Sequence, residues 1–268
     1  METDLVGLLL GSVAEFNAWR EAHPDAEIDL GGADLVGADL RGANLRGAQM
    51  VKAVLTGADL EGAYLDGASM ESVDLNDARL ISASMIGTHL VGATMRRANL
   101  AGANLEGAAM HMADLQHAHL VGANLRSAVL SGASLNLANV AHAQLDQAYL
   151  NHATLAHANL WGSSIQFASM QGADLTHTNL AGVSLIGSNM SGTDLRDADL
   201  QAATMGQVNL RDADVRGASF VGASLQNADF LDAQTEGADF SHAGLQDARF
   251  DPPDISDVDW GTGAPVQQ

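Results

Sequence analysis

A repeat solenoid is the fold class this sequence predicts, and three observations predict it. Every fifth residue from Leu30 to Trp260 is a large apolar side chain, giving 47 consecutive centres of which Thr235 alone is not Leu, Ile, Val, Met, Phe or Trp. Two residues before the centre stands Ala in 36 of the 47 cases. A period of five fits neither a helix at 3.6 nor a flat strand at 2, and a fixed period sustained over a whole chain is the signature of stacked repeats.

Composition agrees with one unbroken unit. Apolar residues make up 47% of the 268, enough for a core, but aromatics only 4%, so the core is built from Leu and Ala. Cysteine is absent, which excludes disulfides, thiolate chemistry and Cys-based zinc sites, and accords with a reducing cytoplasm. No apolar run is long enough to span a bilayer. The segment METDLVGLLL carries Glu2 and Asp4 where a secretory signal wants basic residues, so it reads as folded. With 33 acids against 12 bases the formal net charge is −21, which argues against binding nucleic acid or an anionic membrane directly. The charge is uneven: residues 1–80 hold 15 acids and 5 bases, residues 81–170 hold 3 of each, and residues 171–268 hold 15 and 4.

Residues 1–25 read as a helical cap. Ser12 and Glu15 form a capping box that can satisfy two orphan amides. Val13, Phe16 and Trp19 follow at helical spacing, with Arg20 near the end and His23-Pro24 as a stop. Leu5, Leu8 and Leu9 indicate a shorter helical turn before it. Such a cap covers the first open end of a stacked core, which would otherwise offer bare apolar surface and unpaired amides.

Residues 26–260 then repeat A-(D/N)-L-x-G, as in Ala33-Asp34-Leu35, Ala38-Asp39-Leu40 and Ala43-Asn44-Leu45, with glycine two residues past the centre at Gly37, Gly42, Gly47, Gly122 and Gly192. The pattern resembles that of the pentapeptide-repeat family over roughly nine tenths of the chain. The resemblance implies an all-β, right-handed quadrilateral β-helix in which each pentad is one side and 20 residues make one coil. The centre and the Ala two before it would point inward and the other three outward. At that rate the chain holds about 11–12 coils, a rod on the order of 55 Å long at β spacing. Pro252-Pro253 end the repeat and 261–268 form a polar tail.

Steps of 20 residues sort the outward positions into columns. Asp174, Asp194 and Asp214 stack on one face, with Asp197 beside them; Asp199 and Asp239 lie on the next. Stacked carboxylates repel, and Arg196, Arg211 and Arg216 relieve that only partly. Two readings compete: Asp as the repeat's turn residue and solubiliser, or a surface that imitates duplex DNA. Twenty-one charges over roughly 55 Å give about one per 2.6 Å, against one per 1.7 Å in DNA. A second column is apolar: Ile81, Ala101, Val121, Ala141, Trp161, Ala181, with Phe167 on the following face. Large exposed aromatics are enriched at interfaces. Inward, Phe220, Phe240 and Trp260 share one column and Phe230 and Phe250 the opposite one, marking Phe240, Phe250 and Trp260 as a C-terminal end through which two copies could pair.

The ten histidines suggest a metal, but His117, His157 and His177 share a column that Leu137 interrupts, short of four ligands. No nucleophile elbow, shielded pocket or phosphate loop is visible, so neither an enzyme nor a cofactor is expected. The resemblance implies a cytoplasmic, non-enzymatic, dimeric DNA mimic that engages a type II topoisomerase such as DNA gyrase and gives resistance to its poisons. Unlike the plasmid-borne resistance members, this chain has no loop interrupting the repeat, and its centres are Leu rather than Phe and Cys. The alternative is a protein-binding scaffold or regulatory module using the apolar column at Trp161.

Overall fold

The computed structural model describes residues 4–251. Two helices open the chain, α1 over Leu5–Gly11 and α2 over Val13–Ala22. Asp4 caps α1 by accepting from Gly7 N, and Ser12 caps α2 by accepting from Glu15 N at 3.2 Å. The capping box is thus half made. The Ser12 N–H, which Glu15 was expected to take, donates to Leu8 O at 3.0 Å, because Ser12 is also the last cap of α1. Leu9 and Phe16 are fully buried, and Leu5, Val6, Leu8, Val13 and Trp19 pack against the same core.

From Asp29 onward every backbone pairing is a parallel bridge between residue i and residue i+20, from Asp29 with Gln49 to Asp229 with Arg249. One revolution therefore takes four pentads. The side centred on Leu30 is called the first, that on Leu35 the second, Leu40 the third and Leu45 the fourth. No continuous strand exists among the described residues of the repeat; each side contributes one isolated bridge. The expected all-β character is reduced to these bridges because a turn follows every centre and leaves too few extended residues for a ladder.

The hydrogen bonds of one pentad account for its sequence. Leu30 N donates to Gln49 O at 2.7 Å, Gly32 N to Val51 O at 2.9 Å, Gln49 N to Ile28 O at 2.7 Å, and Ala33 N closes a turn onto Leu30 O at 3.1 Å. The third residue of that turn has φ of +63°, the type II arrangement. All such positions from 32 to 247 are left-handed, 21 of them Gly and 23 not. Only the N–H one residue past the centre lacks a backbone partner. The Asp or Asn one residue before the centre accepts it, as Asp29 does from Gly31 N at 2.9 Å and Asn159 from Trp161 N at 3.2 Å. The A-(D/N)-L-x-G motif is thus small core residue, amide cap, large core residue, turn, left-handed turn.

The core follows the five-residue register. The centres and the residues two before them are buried from Ile28 to Phe240, except Ala33, which is half-buried. Where Ser or Thr replaces Ala the hydroxyl is satisfied by backbone: Ser163 Oγ donates to Leu160 O at 2.7 Å and Thr178 Oγ1 to Leu175 O at 2.6 Å. Near the end, Phe220 stacks on Phe240 at 4.7 Å and Phe230 on Phe250 at 4.6 Å, the two columns meeting edge to face.

The cap docks by imitating backbone. Asn17 Nδ2 donates to Gly42 O at 3.0 Å, and Asn17 Oδ1 accepts from Asn44 N at 2.8 Å. In later revolutions that N–H finds a backbone carbonyl, as Val54 N finds Ala33 O. One side-chain amide therefore replaces a missing revolution. Asn17→Ala is expected to lower stability by about 1–3 kcal/mol, the cost of two part-buried unpaired groups, in a urea titration. Loss of amide protection should concentrate in residues 29–49.

Candidate interaction surface

With the interior committed to the coil, chemistry is left to three outward positions per pentad: the amide-capping position and the two turn positions. Five of the six acidic residues singled out from the sequence stand at the capping position. Asp174, Asp194, Asp199, Asp214 and Asp239 each accept the N–H two residues on, from Thr176, Arg196, Gln201, Arg216 and Ser241 at 2.8–3.2 Å. They build turns whatever else they do. Asp174, Asp194 and Asp214 are bridged neighbours on the second side, as the steps of 20 predict. Their repulsion is relieved more fully than the sequence suggested: Arg196 grips Asp194 with two bonds at 2.9 and 2.6 Å and lies 3.6 Å from Asp214, and Arg216 grips Asp214 at 2.8 and 2.6 Å. The guanidinium hydrogen bonds hold both carboxyls below the usual carboxylate range. Asp199 and Asp239 are not neighbours, since Ser219 bridges to each and separates them by two revolutions.

Asp197 alone of the six occupies the left-handed position, exposed, 3.8 Å from His177. Three carboxylates of the same kind escaped the sequence reading: Asp212, Asp232 and Asp247, all exposed and left-handed. The slot accepts Gly and tolerates Asp, Asn and His; Asp232 there is held by Arg211 Nη2 at 2.8 Å and Asp77 by Arg97 at 2.7 Å, while Asp212 and Asp247 stand exposed. Of five such acids four lie beyond residue 190, the fifth being Asp77. The signal was present in the sequence as Asp in place of the fifth-position Gly.

Arginine leaves little positive surface. Arg41, Arg46, Arg79, Arg96, Arg97, Arg126, Arg196, Arg211, Arg216 and Arg249 each lie within 4 Å of a carboxylate. Asp39, held by Arg41, is pushed down to about 2.

The left-handed slot also explains the histidines. Six of the ten, His117, His142, His152, His157, His177 and His242, stand in it, and His is among the residues that tolerate it best. His157 and His177 stack in parallel at 4.8 Å. No group of three or more ligating side chains able to hold a metal occurs among the described residues. Larger apolar residues in the slot are strained: Met112, Leu137 and Phe167 are left-handed and 74%, 51% and 62% exposed. Phe167 lies over Gly187, where a Cβ would come within 2.7 Å of its ring. Leu137→Gly is expected to raise stability by about 0.5–1 kcal/mol in thermal or urea unfolding, by relieving left-handed strain.

The apolar column is not uniformly exposed. Trp161 is 50% and Val121 37% exposed, Ile81 is half-buried and Ala141 is buried. Trp161 meets the His142 ring edge-on at 4.5 Å. Phe167 lies on the next corner, beside a shallow hollow of about 410 Å³ walled by Glu106, Arg126, Asp146 and Gln166. The column belongs to a larger feature. The corner between the third and fourth sides, from Ile81-Ser82 to Ser241-His242, holds no Asp, Glu, Lys or Arg in nine successive revolutions, and neither does the outward position of the fourth side from Ser84 to Gly244. Most described acids of the C-terminal third lie on the opposite, second side and its flanking corners, while Asp199 and Asp239 stand on the third side, Asp229 on the first and Asp247 at the corner between the fourth side and the first.

At the C-terminal end Phe240 is buried and Phe250 half-buried; Trp260 lies outside the described residues. No helix among the described residues is long and apolar enough to cross a membrane.

Comparison with protein families matches Pentapeptide repeats, in 8 copies, over residues 33–71, 74–111, 112–148, 143–182, 178–217 and 218–251. No curated protein matches the chain. Similar solved structures include HetL, a pentapeptide repeat protein involved in heterocyst differentiation regulation from the cyanobacterium Nostoc sp. strain PCC 7120. It is 26% identical, over 87% of this chain and 94% of that one, with a TM-score of 0.44. A trypsin-treated form of QnrB1, a plasmid-mediated fluoroquinolone resistance protein, is 15% identical over 76% and 93%, with a TM-score of 0.48. A pentapeptide repeat protein of the Arabidopsis thaliana thylakoid lumen is 28% identical over 38% and 68%, with a TM-score of 0.22.

Proposed function

Because the chain belongs to the pentapeptide-repeat family, we propose that it works without catalysis, as a cytoplasmic recognition rod that presents acidic surface to a DNA-binding protein. Members of this family are generally structural or binding proteins. We read the coil as a right-handed quadrilateral β-helix, on the support of the constant parallel offset of 20 and one turn per pentad. The partner proposed is a type II topoisomerase such as DNA gyrase, and the consequence protection from its poisons.

One observation carries this reading: Asp197, Asp212, Asp232 and Asp247 stand exposed in left-handed turn positions, and four of the five acids in such positions thus lie beyond residue 190. A net charge of −21 adds to it, with ten arginines engaged by the protein's own carboxylates. A surface of that sign is drawn toward a basic DNA-binding groove. The test is a gyrase supercoiling assay with and without a poison. Inhibition or protection at micromolar protein is expected; neither effect would sink the reading.

A second reading is favoured by Trp161, half exposed at the centre of the uncharged corner. It makes the rod a scaffold that binds a protein through that corner. Trp161→Ala would then abolish partner capture while joint replacement of Asp194, Asp199 and Asp214 by Asn, which keeps an acceptor for each turn N–H, leaves it intact.

A further inference from the structure

We propose that the uncharged corner is a self-association surface, on which two copies pack side by side and antiparallel about a two-fold axis passing between Trp161 and Ala181. This rests on the second reading above and names its partner as another copy of this chain.

Electrostatics selects the surface. Two chains of net charge −21 repel, and the penalty is least where neither brings a carboxylate to the contact. The corner from Ala101 to Ser241 and the fourth side from Asn104 to Gly244 meet that condition over eight revolutions. Arg41 and Glu61, the formal charges earlier in the same corner, fall outside the antiparallel overlap.

Shape supports the register. Trp161 leans on His142, and the space above Gly182 is open, with no atom within 4 Å of an added Cβ. A two-fold axis between the two levels sets each Trp161 over the partner's Ala181 and Gly182, an aromatic knob on a small-residue floor. The same axis sets Val121 opposite the partner's Val221, the other two large aliphatic residues of the overlap in that column. Eight revolutions at about 4.8 Å, across the fourth side of roughly 10 Å, offer on the order of 380 Å² per copy. That is the size of a weak, reversible contact, in keeping with a dimer that forms at micromolar concentration. A two-fold contact requires such a self-complementary patch.

Sedimentation equilibrium of the full chain at micromolar concentrations is expected to give a dimer that tightens as salt rises, since salt screens the repulsion between copies. Trp161→Asp should weaken it about a hundredfold with an unchanged circular dichroism spectrum and melting curve. The chain has no cysteine, so Val121→Cys and Val221→Cys variants mixed under mild oxidation should form a mixed disulfide, and neither alone should cross-link well. A monomeric wild type overturns the proposal. So does a dimer that survives Trp161→Asp, which would be an end-to-end pair, and so does Val121→Cys cross-linking to itself. If the wild type is monomeric yet Trp161→Ala still abolishes capture of another protein, self-association fails and the second reading stands.

Discussion

Phe230→Ala should destabilise the C-terminal revolutions by about 3–5 kcal/mol, the cost of removing a buried ring and leaving its cavity. The residue is fully buried and touches three other rings: it stacks on Phe250 at 4.6 Å and meets Phe220 and Phe240 edge-on at 5.8 and 5.5 Å. The four phenylalanines form one interlocked set, so its loss removes support from both columns at once. Because each revolution contacts only its neighbours, the damage should stay local. Hydrogen exchange should show protection lost from about residue 210 onward while residues 50–150 keep theirs. An equal loss of protection along the whole rod would mean that the repeat unfolds as one cooperative block.

Joint replacement of Asp197, Asp212, Asp232 and Asp247 by Gly should weaken binding to the topoisomerase by at least about tenfold, the scale expected when several charge pairs across an interface are removed, and shift the supercoiling dose response accordingly. The change takes the net charge only from −21 to −17, one unit for each carboxylate. Glycine is chosen because all four positions have φ between 57° and 62°; the turns keep their shape and lose strain. The variant loses the exposed Arg211–Asp232 pair at 2.8 Å, a contact worth little in solvent, and relieves four strained turns, so it should be about as stable as the parent. The matched control is Asp174→Asn, which keeps an acceptor for the Thr176 N–H and removes one charge at a capping position. Unchanged binding in the fourfold variant would assign these acids to solubility.

The interior of this protein was legible because burial and sequence share one period. A centre such as Leu145 and the Ala143 before it can point only inward, so the register from Leu30 onward reads as core. The outside was less legible, for two physical reasons. An Asp one residue before the centre looks like surface charge, yet in Asp194 or Asp239 it is the acceptor for the pentad's one N–H without a backbone partner. A residue two past the centre looks like filler, yet in Asp212 or Phe167 it holds a left-handed backbone that Gly would hold at less cost. The capping box failed in half for a similar reason, since Ser12 ends one helix as it begins the next.

By itself the sequence determined the pentad, its inward pair, the helical cap and the uneven charge, because each follows from the five-residue beat or from composition. The family resemblance supplied the 20-residue coil, and tertiary structure alone decided which side chains meet across it. The 20-residue offset sets Arg196 near Asp214, His157 on His177, Phe167 over Gly187 and Asn17 against the first open revolution. It also gathers outward positions 20 residues apart into one uncharged corner centred on Trp161. Those contacts come from stacking, and stacking brings together residues that no local pattern in the chain connects.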